Sequence, residues 1–229
     1  MKDSSTVQSL DIPTAGLNYS AVEKTRLVNS QLADLYPDAH CELHFSNPLE
    51  LTVATVLSAQ TTDVRVNQVT PELFRRYSSA QDYATAKPSE IEQIIRPLGL
   101  APSKAKRLVA MGEKLSAEFG GEIPTTIPEL TSLPGVGRKT ALVVRGNAFN
   151  IPGLAVDTHV KRVTARLGLS NASTERAIEE ELCSYLPEEE WTQFSHRVIF
   201  HGRRQCTAKS PDCAHCPLLE ICDYAGAEA

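Results

Sequence analysis

Long apolar runs are absent from this 229-residue chain; none approaches the roughly 20 residues that a membrane-spanning helix needs. The opening stretch, MKDSSTVQSLDIPTAGLNYS, lacks the apolar segment of a secretory signal. That points to a cytoplasmic protein with a disordered tail over residues 1–19. An excess of positive charge is missing as well. The 23 Lys and Arg against 28 Asp and Glu leave a formal net charge of −5, a mild argument against a nucleic-acid partner. Low-complexity segments, clear internal repeats and alternating strand pairs are also absent.

The charges that are present are unevenly spread. Acidic residues gather at Glu175, at Glu179, Glu180 and Glu181, and at Glu188, Glu189 and Glu190. Basic residues gather at Lys104, Lys106 and Arg107, at Arg138 and Lys139, at Lys161, Arg162 and Arg166, and at Arg197, Arg203, Arg204 and Lys209. A nucleic-acid binder needs a basic face rather than a basic total. Each cluster taken alone equally fits a solvated helix face.

Residues 133–140, LPGVGRKT, suggest a phosphate loop, but neither nucleotide motif is complete. A Walker A loop needs glycine where Arg138 stands, and the dinucleotide fingerprint needs a third glycine where Thr140 stands. The surrounding pattern is helical instead. Ser20 and Glu23 form a capping box before Leu27, Val28, Leu32 and Leu35. Asn47 and Pro48 start a second helix through LELTVATVLSA, although its β-branched residues also suit a strand. Pro88 opens a further helix, and Ser103 opens another that stops at Gly120 and Gly121. Helices also fit 140–148, 157–167, 174–186 and 191–201, so the expected fold is all-α.

LPGVGRKT then lies between a short helix beginning near Pro128 and one beginning near Arg138, which makes it a helix–hairpin–helix. Gly135 and Gly137 permit positive φ and let a ligand approach the backbone. Amides at the following helix start can hold an anion. A hairpin open to solvent suits a phosphodiester backbone better than a small nucleotide. A plain tight connection between two helices is the competing explanation.

Six cysteines are present, four of them in the spacing Cys206-x6-Cys213-x2-Cys216-x5-Cys222. Disulfides are disfavoured in a reducing compartment. Structural zinc usually shows two tight pairs, and only one is present here. Four thiolates also suit a [4Fe–4S] cluster, with His215 a bystander. Cys41 and Cys183 stand alone and fit buried apolar positions.

Together LPGVGRKT, AVDTH at 155–159 and the cysteine spacing resemble the endonuclease III family of bifunctional DNA glycosylases in the helix–hairpin–helix superfamily. LSAQTTD at 57–63 and RPLGLAPSKA at 96–105 extend the resemblance, which runs from about residue 20 to 224. It implies a six-helix barrel over 41–151 and a second domain made of 20–40 with 152–229, the two flanking a DNA-binding cleft. It further implies a monomeric, nucleoid-associated enzyme of base-excision repair. Such an enzyme removes oxidised pyrimidines from duplex DNA and cleaves the strand by β-elimination.

By similarity Lys139 is the nucleophile, Asp157 its carboxylate partner, and Cys206, Cys213, Cys216 and Cys222 hold the cluster. Gln60 and Leu100 fill the gap left by an extracted nucleotide. Gly135, Val136, Gly137 and Arg138 of the hairpin, with Arg203, Arg204 and Lys209, contact the DNA. A nucleophilic amine must be neutral, and the expected causes are burial, the neighbouring Arg138 and a helix N-terminus. Asp157 alternatively caps the helix that follows it, Lys139 alternatively makes a simple phosphate contact, and Leu100 alternatively packs in the core. Family hairpins commonly continue GRKTANVV, whereas this chain has Leu142 in place of that asparagine. The related adenine glycosylases lack the lysine and carry a further C-terminal domain. Lys139 with Asp157 also disfavours a non-catalytic DNA-binding module, and the helical body disfavours a ferredoxin-type electron carrier.

Overall fold

The computed structural model describes residues 19–227, so the tail expected over 1–19 lies, apart from Tyr19, outside the described residues. The described residues form helices and turns and no strand, as the all-α expectation requires. The first helix, α1 (Ala21–Leu35), begins at the capping box. Ser20 Oγ accepts the Glu23 N–H at 3.2 Å while the Glu23 carboxylate accepts the Ser20 N–H at 2.9 Å. Next comes α2 (Pro48–Leu57), capped by the Asn47 side chain. Its residues 51–57 are all buried, which explains why its pattern also suited a strand: a helix covered on all sides shows no polar face.

Three helices go beyond those expected from the sequence, one of them the five-residue helix Asp223–Ala227. Pro71 interrupts the period of α3 (Asp63–Arg76) yet sits inside it, and α4 (Ala80–Thr85) is only six residues long. After α5 (Pro88–Ile95), a 3-10 turn at Arg96–Leu98 leads into α6 (Ala101–Glu118), which starts at Ala101 rather than Ser103. Leu100 is its N-cap in a left-handed conformation, so the helix is set by the turn before it rather than by a serine cap. The hairpin pair is α7 (Ile127–Ser132) and α8 (Arg138–Ala148). Then follow α9 (Thr158–Leu167), α10 (Glu175–Tyr185), α11 (Trp191–Arg204) and α12 (Asp223–Ala227).

Buried apolar side chains sort into two clusters. One runs from Leu43 to Val144 and centres on α2 and α6, with Leu51, Val53, Leu57, Leu108 and Met111 fully covered. The other joins Val28 and Leu32 of α1 to Leu154, Val160, Val163, Leu182, Phe194, Val198 and Leu218. The N-terminal helix thus packs on α10 and α11 rather than on its sequence neighbours. Where the two clusters meet, Gly146 of α8 lies directly against Thr192 of α11, and Gly153 lies against Leu142. The leucine that replaces the family's asparagine is therefore a buried packing residue at this seam. Neither Cys41 nor Cys183 is fully buried. Each is half-buried beside one cluster, and desolvation pushes the thiols up to about 11 and about 12 respectively.

Candidate active site

The hairpin turn is built as its glycines suggest, but by only one of them in the expected way. Gly135 has φ +88°, and a methyl group there would press on Val56 at 3.1 Å and on Arg107 at 3.3 Å. Gly137 has φ −93° and open space around it. It is the N-cap of α8 and provides no side-chain cap, so the first amides of that helix have no acceptor within the turn. Val136 between them is buried, its N–H bonded to Leu133 O at 3.0 Å.

Lys139 and Asp157 come together. They line a single cleft of about 440 Å³ with Gln60, Thr61, His159, His196 and Arg203. Lys139 stands exposed in the first turn of α8, not buried as the sequence suggested. Arg138 makes a bidentate pair with Glu179, Nε to Oε2 at 2.7 Å and Nη2 to Oε1 at 2.6 Å, and Glu179 is buried. Asp157 is the N-cap of α9, accepting the Val160 N–H on Oδ1 at 2.8 Å. The capping role and a place in the cleft coexist, because one carboxylate has two oxygens. On the far wall, burial holds the His196 imidazole down at about 4, and its Nε2 donates to Asn147 Oδ1 at 2.8 Å.

Gln60 and Leu100 project from two neighbouring turns. Leu100 is exposed (57%) while Leu98 beside it is buried, so the core-leucine alternative falls to Leu98. Gln60 is exposed at the cleft mouth, and both residues have positive φ.

Most of the basic residues expected to form a binding face have partners within the protein. Lys104 is buried. Arg203 pairs with Glu42 and, at 2.8 Å, with Asp63, bracing α11 against the first core. Arg204 stacks on the Phe200 ring at 4.1 Å. Arg162 donates to the Gly202 and Cys206 carbonyls at 2.9 and 3.1 Å. Arg166 donates to Thr207 O at 2.7 Å, Ala208 O at 3.0 Å and Cys206 Sγ at 3.4 Å. Lys106, Arg107, Lys139 and Lys209 stay exposed. Nothing near them in sequence separates these from the engaged ones, since every partner except Phe200 lies on another element.

Cys206, Cys213, Cys216 and Cys222 ring one small apolar cavity closed by Leu167, Pro211, Leu219 and Tyr224. Among the described residues no three Cys, His, Asp or Glu side chains converge tightly enough to hold one metal ion. A single zinc draws its thiolates to about 2.3 Å, whereas four thiols around a central space fit an iron–sulfur cluster. His215 points elsewhere, bonded to Asp212 at 2.9 Å, in keeping with a bystander.

Comparison with known proteins decides the family. Residues 53–188 match the model of the HhH-GPD superfamily of base excision DNA repair proteins, and residues 206–222 match the iron–sulfur binding domain of endonuclease III. The chain is 46% identical to endonuclease III of Bacillus subtilis, over 84% of this chain and 88% of that protein. It is 47% identical to that of Synechocystis, over 86% and 90%.

The chain belongs to the endonuclease III family. It is a DNA glycosylase of base-excision repair with a [4Fe–4S] binding domain. Among solved structures, a trapped endonuclease III–DNA covalent intermediate, an estranged-adenine complex, is similar with TM-score 0.88 and 44% identity, covering 92% of this chain and 99% of that one. No helix of the described residues is long and apolar enough to cross a membrane.

Proposed function

We propose that this enzyme removes oxidised pyrimidines from duplex DNA and then nicks the strand, with Lys139 as nucleophile and Asp157 as its carboxylate partner. The observation that carries the reading is the meeting of both side chains, each from a helix start, in one cleft. Its volume of about 440 Å³ lies within the range that encloses small ligands. An endonuclease III 44% identical to this chain has been trapped on DNA as a covalent intermediate, which supports the same chemistry here.

The neutral Lys139 Nζ attacks C1′ of the damaged nucleotide. The C1′–N bond breaks, and its electron pair leaves with the base, which takes up a proton. The sugar ring then opens, O4′ gains a proton, and the Nζ–C1′ bond becomes an iminium. Loss of a C2′ proton expels the 3′-phosphate and cuts the strand. Asp157 keeps one oxygen on the α9 cap and uses the other to accept the lysine proton and to stabilise positive charge on the sugar. Because Lys139 is exposed in the free enzyme, the desolvation that favours a neutral amine comes from DNA closing the cleft.

Amides of the hairpin at Gly135 and Gly137 and the uncapped start of α8 hold a backbone phosphate, with Arg204 and Lys209 bordering the path; the Val136 N–H is already bonded to Leu133 O and its side chain only packs beneath the turn. Arg138 and Arg203 reach it only by leaving their present partners. Gln60 and Leu100 fill the vacated stack, whose disruption costs a few kcal/mol. The two separate apolar cores support the division into 41–151 and 20–40 with 152–229. The cysteines would hold a cluster that cross-links residues 206–222, and Arg162 and Arg166 carry that rigidity to the helix bearing Asp157. We take the enzyme to act as a monomer.

Borohydride trapping tests the reading. Wild-type protein is expected to become covalently fixed to duplexes carrying an oxidised pyrimidine or an abasic site, and Lys139→Ala to bind the same duplexes without being trapped. Trapping by the alanine variant would move the nucleophile elsewhere.

A further inference from the structure

Gln60 and Leu100 sit in separate turns, yet both are held at positive φ, 57° and 51°, where a side chain other than glycine is strained. One buried lysine joins those turns. Lys104, four residues into α6, is 2% exposed. Its Nζ donates to Thr61 Oγ1 at 2.9 Å and to Leu98 O at 3.3 Å, and Thr61 Oγ1 donates to Leu98 O at 2.7 Å. The knot therefore ties the residue after Gln60 to the residue two before Leu100, at the foot of the helix that Leu100 starts.

The ammonium has hydroxyl and carbonyl acceptors but no carboxylate. Burial alone pushes its pKa below the ordinary lysine value. A buried cation without a counter-charge works against stability, and an apolar side chain of similar volume would fill the site at least as well. What the lysine contributes is the relative placement of the two turns.

We propose that Lys104 is a positioning residue for nucleotide extraction, locking the 58–62 and 98–100 turns so that Gln60 and Leu100 enter the duplex as one preformed wedge. The proposal rests on those two residues filling the vacated stack. Preformed turns need no ordering while the duplex is being opened, so the benefit falls on base release from paired DNA and not on the chemistry at Lys139.

Lys104→Met keeps the apolar stem and removes the donors. Single-turnover base release from a fully paired duplex is expected to slow about tenfold or more, while borohydride trapping on a single-stranded abasic oligonucleotide stays within about twofold of wild type. The thermal midpoint should stay level or rise. Lys104→Gln, which keeps a polar head but cannot reach Thr61 Oγ1 and Leu98 O together, should give the same split, about three- to fivefold, even if the methionine variant folds poorly. Added to a Gln60→Ala/Leu100→Ala background, Lys104→Met should slow base release by less than about twofold, because no wedge remains to be placed. Equal losses on both substrates, or unchanged base release in both single variants, would overturn the proposal. Failure of the wild type to be trapped would instead defeat the lysine-nucleophile reading on which the enzyme's chemistry rests.

Discussion

The two helices that meet at the cleft begin in opposite ways. Helix α8 starts on a bare, exposed glycine with no side-chain cap, and Lys139 stands open to solvent one residue into it. Helix α9 starts on a capped turn and is braced further along by Arg162 and Arg166, which grip the cysteine loop. An uncapped start leaves amides for an acceptor outside the chain; a capped and braced one holds its carboxylate still. The difference teaches a division of labour, in which one side of the cleft receives the DNA and the other supplies a fixed reference for the chemistry.

Removing each side's reactive group should break the comparison most sharply. Lys139→Ala should abolish covalent trapping and strand cleavage altogether, yet leave thermal stability almost unchanged because the side chain is exposed. Asp157 separates chemistry from capping. Asparagine is as good a cap as aspartate, so Asp157→Asn should alter stability by less than about 0.5 kcal/mol. It should still slow base release by about 10²- to 10⁴-fold in single-turnover assays. Asp157→Ala should add a loss of about 1 kcal/mol in denaturant titrations. If the asparagine variant releases bases at the wild-type rate, Asp157 is only a cap.

The hairpin glycines divide in a smaller way. Gly135→Ala forces a side chain into positive φ against Val56 and should cost about 1–3 kcal/mol of stability. Gly137→Ala meets nothing within 4 Å and should leave stability intact while weakening binding to all DNA sequences alike, with a flatter salt dependence. A Gly137→Ala protein that is destabilised but binds normally would reverse the assignment.

A pH-dependent effect concerns His196, which joins the two sides through Asn147. Its pKa is depressed from 6.5 to about 4 by burial. Between those values the unfolded chain takes up a proton that the folded one refuses, so stability falls as pH drops, by up to about 1.4 kcal/mol per pH unit from this residue. Above pH 7 the contribution should be flat. Urea titrations from pH 7 to 4.5 on wild type and His196→Gln should show the shallower slope in the variant.

Much of this was legible in the chain. The Ser20–Glu23 capping box, helix-starting prolines and apolar spacing located most helices, because those signals act within a turn or two. Pro71 hid α3, since a proline inside a periodic run looks like a break until the rest of the helix packs around it. Hairpin glycines, the cysteine spacing and the pair Lys139 and Asp157 were legible as residue types. The fate of the basic residues was not. Lys104, Arg138, Arg162, Arg166 and Arg203 looked like free surface charge, and each is held by a partner at least 40 positions away or, for Lys104, by burial with Thr61 and Leu98.

By itself the sequence determined the helical pattern, the turn that only glycine allows at 135, and the set of thiols able to hold a cluster, because these depend on neighbours within a few residues. Only the tertiary structure decided which cations remain open, that Asp157 both caps and faces the cleft, and that two distant turns are tied through one buried ammonium. Burial and pairing are properties of surfaces that meet, and surfaces meet only after helices far apart in the chain have packed.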